Sequence, residues 1–182
     1  AFMFGTYLLD ALPTRCDRRV DFIHASLQAL DGALNDLSHA GGGAGSGMLV
    51  RHGSAVQHIV QLAVSLGVSH VYANRDYEPD AIARDAAVAA QLAAPGIGWA
   101  DFKDHVVLEQ NEVLTQAGTP FSVFTPYRTA WLKRVDAFQL KPYPIDKYAA
   151  RLAAKPAGET LLPLAALGFT PSNLAQLPIP TG

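Results

Sequence analysis

A chain of 182 residues is long enough for one α/β domain and a tail, but too short for two full domains. With 49% hydrophobic and 16% charged residues and a mean hydropathy of +0.13, its composition is that of a globular core and not of a disordered segment. A net charge of −2 and an isoelectric point near 6.3 exclude an overall basic footprint for non-specific nucleic-acid binding, and the apolar runs are too short to span a bilayer.

The chain opens on the apolar run Ala1-Phe2-Met3-Phe4, closed by Gly5, which predicts a strand; without a basic flank it does not read as a signal peptide. From 18 to 38, Val20, Ile23, Leu27, Leu30, Leu34 and Leu37 recur at helical spacing, with Asp17 placed to cap the helix they predict. Glycine at 41, 42, 43, 45 and 47 imitates a phosphate loop. Such a loop follows a strand and opens a helix with Gly-Lys-Ser/Thr, whereas this segment follows a helix, so a flexible connection is expected. A second strand is predicted over 48–51. Ser54 then precedes a helix carrying Val56, Ile59, Leu62, Ala63 and Leu66, stopped by Gly67.

The third strand is predicted over 70–73. Pro79 suits the first turn of a helix over 80–94, with Ile82, Ala83, Ala86, Ala90 and Ala93 on one side and Pro95-Gly96 as its stop. A fourth strand follows over 97–102, with a short extended piece at 106–108. Thr125-Pro126 begins a brief helix running to Val135. Beyond it, proline at 142, 144, 156, 163, 171, 178 and 180 predicts an extended tail, with one isolated helix at 161–167. The alternation of strand and helix patterns predicts an α/β fold: a Rossmann-like, mostly parallel sheet with helices on both faces, followed by a proline-rich linker. The expected organisation is an α/β domain over 1–135 and a linker over 136–182.

Open α/β sheets bind ligands beyond the carboxyl ends of their strands, which draws attention to Gly5-Thr6-Tyr7, Arg51-His52-Gly53, Asn74-Arg75-Asp76-Tyr77-Glu78 and Phe102-Lys103-Asp104. Polar and aromatic types together there suit a planar, heteroatom-rich ligand better than a bare phosphate. His52 is the best single acid–base candidate, with a turn histidine as the plainer reading. Arg84 and Asp85 fit a structural charge network with Asp76, Glu78 or Asp80. The histidines and Cys16 show no zinc spacing, no Gly-x-Ser-x-Gly elbow is present, and Trp99, Trp131 and the aromatics near them read most simply as core or interface. A metal site and catalytic residues are therefore not expected. The single cysteine fits a reducing cytoplasm.

Taken together, Tyr72-Ala-Asn-Arg-Asp-Tyr-Glu-Pro79 with Arg84-Asp85, then Phe102-Lys-Asp104, then Phe124-Thr-Pro-Tyr-Arg-Thr-Ala-Trp-Leu-Lys133 closely resemble the N-terminal α/β domain of the DNA photolyase/cryptochrome family. Arg51-His-Gly53 and the closing stretch 173–182 are similar to a bacterial photolyase running through its linker. In that family an additional strand of Trp-Phe-Arg-Arg-Asp-Leu-Arg type comes first, and the sheet order is three-two-one-four-five. The resemblance thus equates the strands here with the second to fifth, and an isolated fragment is expected to be poorly protected where the central strand would lie.

The resemblance implies an antenna pigment: methenyltetrahydrofolate, a deazaflavin or flavin mononucleotide. Where folate-binding members carry Asn-Glu, this sequence has Asp80-Ala81. The members that bind deazaflavin or flavin use the ends of the second and fifth strands, which correspond to Thr6, Tyr7, Phe102, Lys103 and Asp104. It further implies a parent protein in which a C-terminal helical domain holds flavin adenine dinucleotide (FAD) and docks damaged DNA, with this segment by itself inactive. The alternatives are a cryptochrome-type blue-light photoreceptor domain, or a nucleotide- or flavin-binding α/β module of unrelated role.

Overall fold

The computed structural model describes residues 1–109 and 111–178. Gln110, Pro180 and the last residues of the closing stretch lie outside the described residues. The chain divides into two compact units, Ala1–His58 with Pro144–Gly182, and Ile59–Tyr143.

The first unit is built on β1 (Phe2–Gly5) and β2 (Val50–Gly53), a parallel pair in the register Phe2↔Val50 to Gly5↔Gly53. Between them run α1 (Thr6–Asp10) and α2 (Arg18–Ala40). The cap expected at Asp17 is present: its Oδ1 accepts the Arg19 N–H at 2.9 Å. The Arg19 side chain and N–H together hold its carboxyl down to about 2. Side chains alternate across a strand, so Phe4 lies on one face of β1, and it packs with Val50 of β2 and with Val20 and Leu27 of α2. Each of these is under 9% exposed.

The glycine-rich connection is dictated by packing as well as by turn geometry. Gly42 and Gly45 have φ of 80° and 91°, where L side chains are strained, and a Cβ on Gly41 would lie 2.6 Å from the Ala150 nitrogen. The proline-rich tail closes on that glycine with a 3-10 turn, Asp146–Arg151. It then runs back along α2. Lys155 Nζ donates to Asp31 at 2.8 Å, His24 Nε2 donates to the Leu162 carbonyl at 2.8 Å, and Ser172 Oγ donates to Asp21 at 2.7 Å. A 3-10 turn, Leu164–Leu167, stands where a helix over 161–167 was expected, and another, Leu174–Gln176, follows it. Leu167 and Phe169 enter the same apolar cluster as Phe4 and Val50.

The second unit holds the parallel pair β3 (His70–Asn74) and β4 (Gly98–Phe102), joined through α4 (Pro79–Ala93). The division between the units falls within α3 (Ala55–Ser65). Buried Val88 and Leu92 anchor α4, and the Ile97 N–H bonds the Leu92 carbonyl at 3.0 Å, turning the chain from helix into β4. The extended piece expected at 106–108 forms bends instead, and α5 (Phe124–Arg134) has no buried residue.

The strand–helix order and the parallel pairing are those expected. The ladders β1–β2 and β3–β4 are also the neighbours that the resemblance implies for second-with-third and fourth-with-fifth strands. No ladder joins the two pairs among the described residues. Among those residues, no helix is long and apolar enough to cross a membrane.

Candidate functional site

In the second unit the strand alternation sorts residues cleanly. Val71, Ala73, Trp99 and Asp101 share the face of β3–β4 toward α4, while His70, Tyr72, Asn74 and Phe102 share the other. That second face is open: Tyr72 is 66% and Phe102 56% exposed. The His70 and Tyr72 rings stack at 6.0 Å, and the Tyr72 and Phe102 rings lie 6.0 Å apart, so three aromatic rings form a row ending at the carboxyl end of β4.

The loop after β4 is held by ion pairs. Lys103 Nζ donates to both Glu112 oxygens at 2.9 and 2.7 Å, and Glu112 also accepts the Glu109 N–H. These contacts, the Lys103 bond foremost, lower the Glu112 pKa. Arg75, just past β3, donates to Asp101 at 2.8 Å and to Glu109 at 2.6 Å, and Tyr77 Oη donates to Glu109 at 2.8 Å. The Arg75 bond lowers the Asp101 pKa, while burial, followed by the Glu109 contact, raises that of Tyr77. Asp104 accepts from Asn74 Nδ2 at 2.7 Å, which orients its carboxylate beside the aromatic row.

Of the residues singled out from sequence, Phe102, Lys103 and Asp104 lie together at the end of β4. Asp80 lies in the first turn of α4. Thr6 and Tyr7 begin α1 in the first unit, with Tyr7 77% exposed. Arg84 bonds its neighbour Asp85 at 2.7 Å, while Asp76 accepts the Tyr77 and Glu78 N–H groups. The wider network expected for Arg84 forms around Arg75. His52 lies in β2 and is half-buried.

Tyr72 and Asn74 were named from sequence only within the family motif and a strand end, not as ligand candidates, and Glu109 and Glu112 escaped the sequence reading. The alternation His70, Tyr72, Asn74 was available as a signal for the first two, but the glutamates sit in an aperiodic loop, where only the fold reveals partners.

In the first unit, Arg51 grips Glu159 with two bonds of 2.8 and 2.5 Å. The Arg51 bond lowers the Glu159 pKa below its ordinary 4.5. For Asp31 burial works upward, yet the Lys155 bond and the Met48 N–H outweigh it and the pKa falls below 3.8. Both folded values are depressed, so the stabilisation is complete above the unfolded values and is lost as pH falls through the folded ones. The melting temperature is expected to drop between about pH 5 and pH 3, and Glu159→Gln is expected to flatten part of that slope. A wild-type slope retained in the variant assigns the acid sensitivity elsewhere.

The sequence pattern of the DNA photolyase family matches residues 4–147. A deoxyribodipyrimidine photo-lyase of Halobacterium salinarum is 35% identical over 86% of this chain and 31% of its own length. One from Synechococcus is 32% identical over 80% of this chain and 28% of its own, and one from Vibrio cholerae is 43% identical over 43% of this chain and 17% of its own. The chain thus spans less than a third of the length of these relatives. The crystal structure of a class III photolyase from Agrobacterium tumefaciens superposes with a TM-score of 0.57 at 25% identity, covering 74% of this chain and 25% of that one. A family match over most of the chain, joined by this structural likeness, makes the chain a member of the DNA photolyase family.

Proposed function

We propose that this chain is the antenna-pigment domain of a light-driven DNA repair photolyase, one that splits cyclobutane pyrimidine dimers in the cytoplasm. The family match over residues 4–147 carries the reading. In the whole protein, residues 136–182 lead toward a C-terminal helical domain that holds FAD and engages damaged DNA, and the present chain supplies the light-collecting part.

The residues fit a flat pigment. An exposed Phe102 ring, flanked by Tyr72, offers a stacking surface, and the Asp104 carboxylate, steadied by Asn74, offers an acceptor for a ring N–H or a ribityl hydroxyl. The Lys103 ammonium is engaged by Glu112, so its part is to fix the loop and not to meet the ligand. Asp80 is the rim candidate on α4. Thr6 and Tyr7, at the carboxyl end of β1, are candidates tested by their own variants. A bound pigment absorbs light and passes excitation to FAD; the chain's residues stack on it, orient it and limit its contact with water.

Titration of methenyltetrahydrofolate, a deazaflavin and flavin mononucleotide, followed by fluorescence, is the test. One pigment is expected to bind, with Phe102→Ala weakening it about tenfold, the loss of one aromatic contact of about 1.4 kcal/mol. Asp104→Ala is expected to weaken it as well. Equal binding by all three proteins removes Phe102 and Asp104 from the site, and tightest binding of folate contradicts the weight given to Asp80-Ala81.

A further inference from the structure

We propose a second site in this chain, unconnected with the pigment: a groove between α4 and β4 that binds a small aromatic cation. It lies on the α4 side of the β3–β4 pair, opposite the face that carries Phe102, and none of the pigment candidates lines it.

The groove originates in side-chain size. On α4, Ile82, Ala86 and Ala89 follow one another at helical spacing toward β4, and the two alanines leave space beside the Trp99 indole. The groove is open to solvent along one side and its volume is about 350 Å³, in the range of small-ligand pockets and suited to a single substituted ring. Its floor is therefore apolar and aromatic. Its rim is not: Asp76, Asp85 and Asp101 line it, with Arg75 the one cationic residue among the lining side chains.

The balance of charge selects the ligand. Arg75 is already bonded to Asp101 and, behind the rim, to Glu109, while Arg84 is bonded to Asp85. Four carboxylates, Asp76, Asp85, Asp101 and Glu109, thus meet two guanidinium groups. An anion would have to compete with two carboxylates for Arg75. A neutral apolar ring would fill the floor but leave the excess negative charge unanswered. A flat cation answers both, because an indole face attracts positive charge and the carboxylates accept its N–H donors.

Benzamidine is a suitable probe, with benzamide as its neutral counterpart of nearly the same shape. In a Trp131→Phe protein, Trp99 is the remaining tryptophan and its fluorescence reports on the groove directly. Benzamidine is expected to give a saturable change, with benzamide at least tenfold weaker. Ala86→Leu, at an exposed helical position where leucine is well tolerated, is expected to fill the groove and abolish the response. Asp85→Asn, which keeps the shape and removes a charge, is expected to weaken binding several-fold and serves if Ala86→Leu lowers the melting temperature. No saturable response to benzamidine, equal binding of benzamide, or undiminished binding in both variants overturns the proposal.

Discussion

Replacing Phe169 by alanine is expected to cost about 3–5 kcal/mol, the range for a large aromatic removed from a packed interior. Phe169 is 3% exposed, though it comes from the proline-punctuated tail. It packs with Phe4, Val20, Leu27 and Val50, its N–H bonds the Leu164 carbonyl at 3.0 Å, and the Arg15 guanidinium lies 5.2 Å above its ring. Domains of this size hold about 5–15 kcal/mol in all, so the loss removes a large share. Denaturant unfolding measures it, and hydrogen exchange at the β1 and β2 amides localises it. Phe138→Ala, at a residue 79% exposed, is the matched control and is expected to change stability by less than about 0.5 kcal/mol. Comparable effects of the two substitutions would mean that the tail does not contribute to the core of the first unit.

In the second unit the largest effect is expected at Leu92. Its side chain is fully buried beside Val88 in the last turns of α4, and its carbonyl receives the Ile97 N–H that leads the chain into β4. Leu92→Ala is expected to cost about 2–5 kcal/mol through lost burial and the cavity left behind. Hydrogen exchange should show reduced protection along β3 and β4, because α4 is the helix seated on that pair. Ile82→Ala, on the same helix but at a residue 54% exposed, is expected to leave protection nearly unchanged. Unaltered exchange in β3–β4 after Leu92→Ala would show that α4 does not secure that ladder.

Much of the fold was legible because it rests on local periodicity. The Val20–Leu27 stripe, the Asp17 cap, Pro79 in the first turn of α4 and the short apolar runs at Phe2–Gly5 and Gly98–Phe102 each carry their own signal over a few residues, and the elements appear within a residue or two of expectation. Strand ends are equally local, which is why Phe102 and Asp104 could be placed at the end of β4 from the sequence. Motif order along the chain was specific enough to reach the family.

What tertiary structure decided are the relations between residues far apart in sequence. Glu159 meets Arg51 across 108 positions, Lys155 meets Asp31 across 124, and Ser172 meets Asp21 across 151. A carboxylate in an aperiodic segment carries no mark of its partner, and Phe169 in a tail of prolines carries none of its burial. The Trp99 groove depends in the same way on two alanines of α4 facing one strand, a coincidence of size and position that composition and periodicity do not encode. Sequence by itself therefore determined the main strands and helices and their order, which follow from backbone preference and hydrophobic period, and the family, which follows from motif order. The partners of the charged groups, the burial of the tail and the shape of the groove were decided by the folded chain, because each needs two distant segments brought to one place.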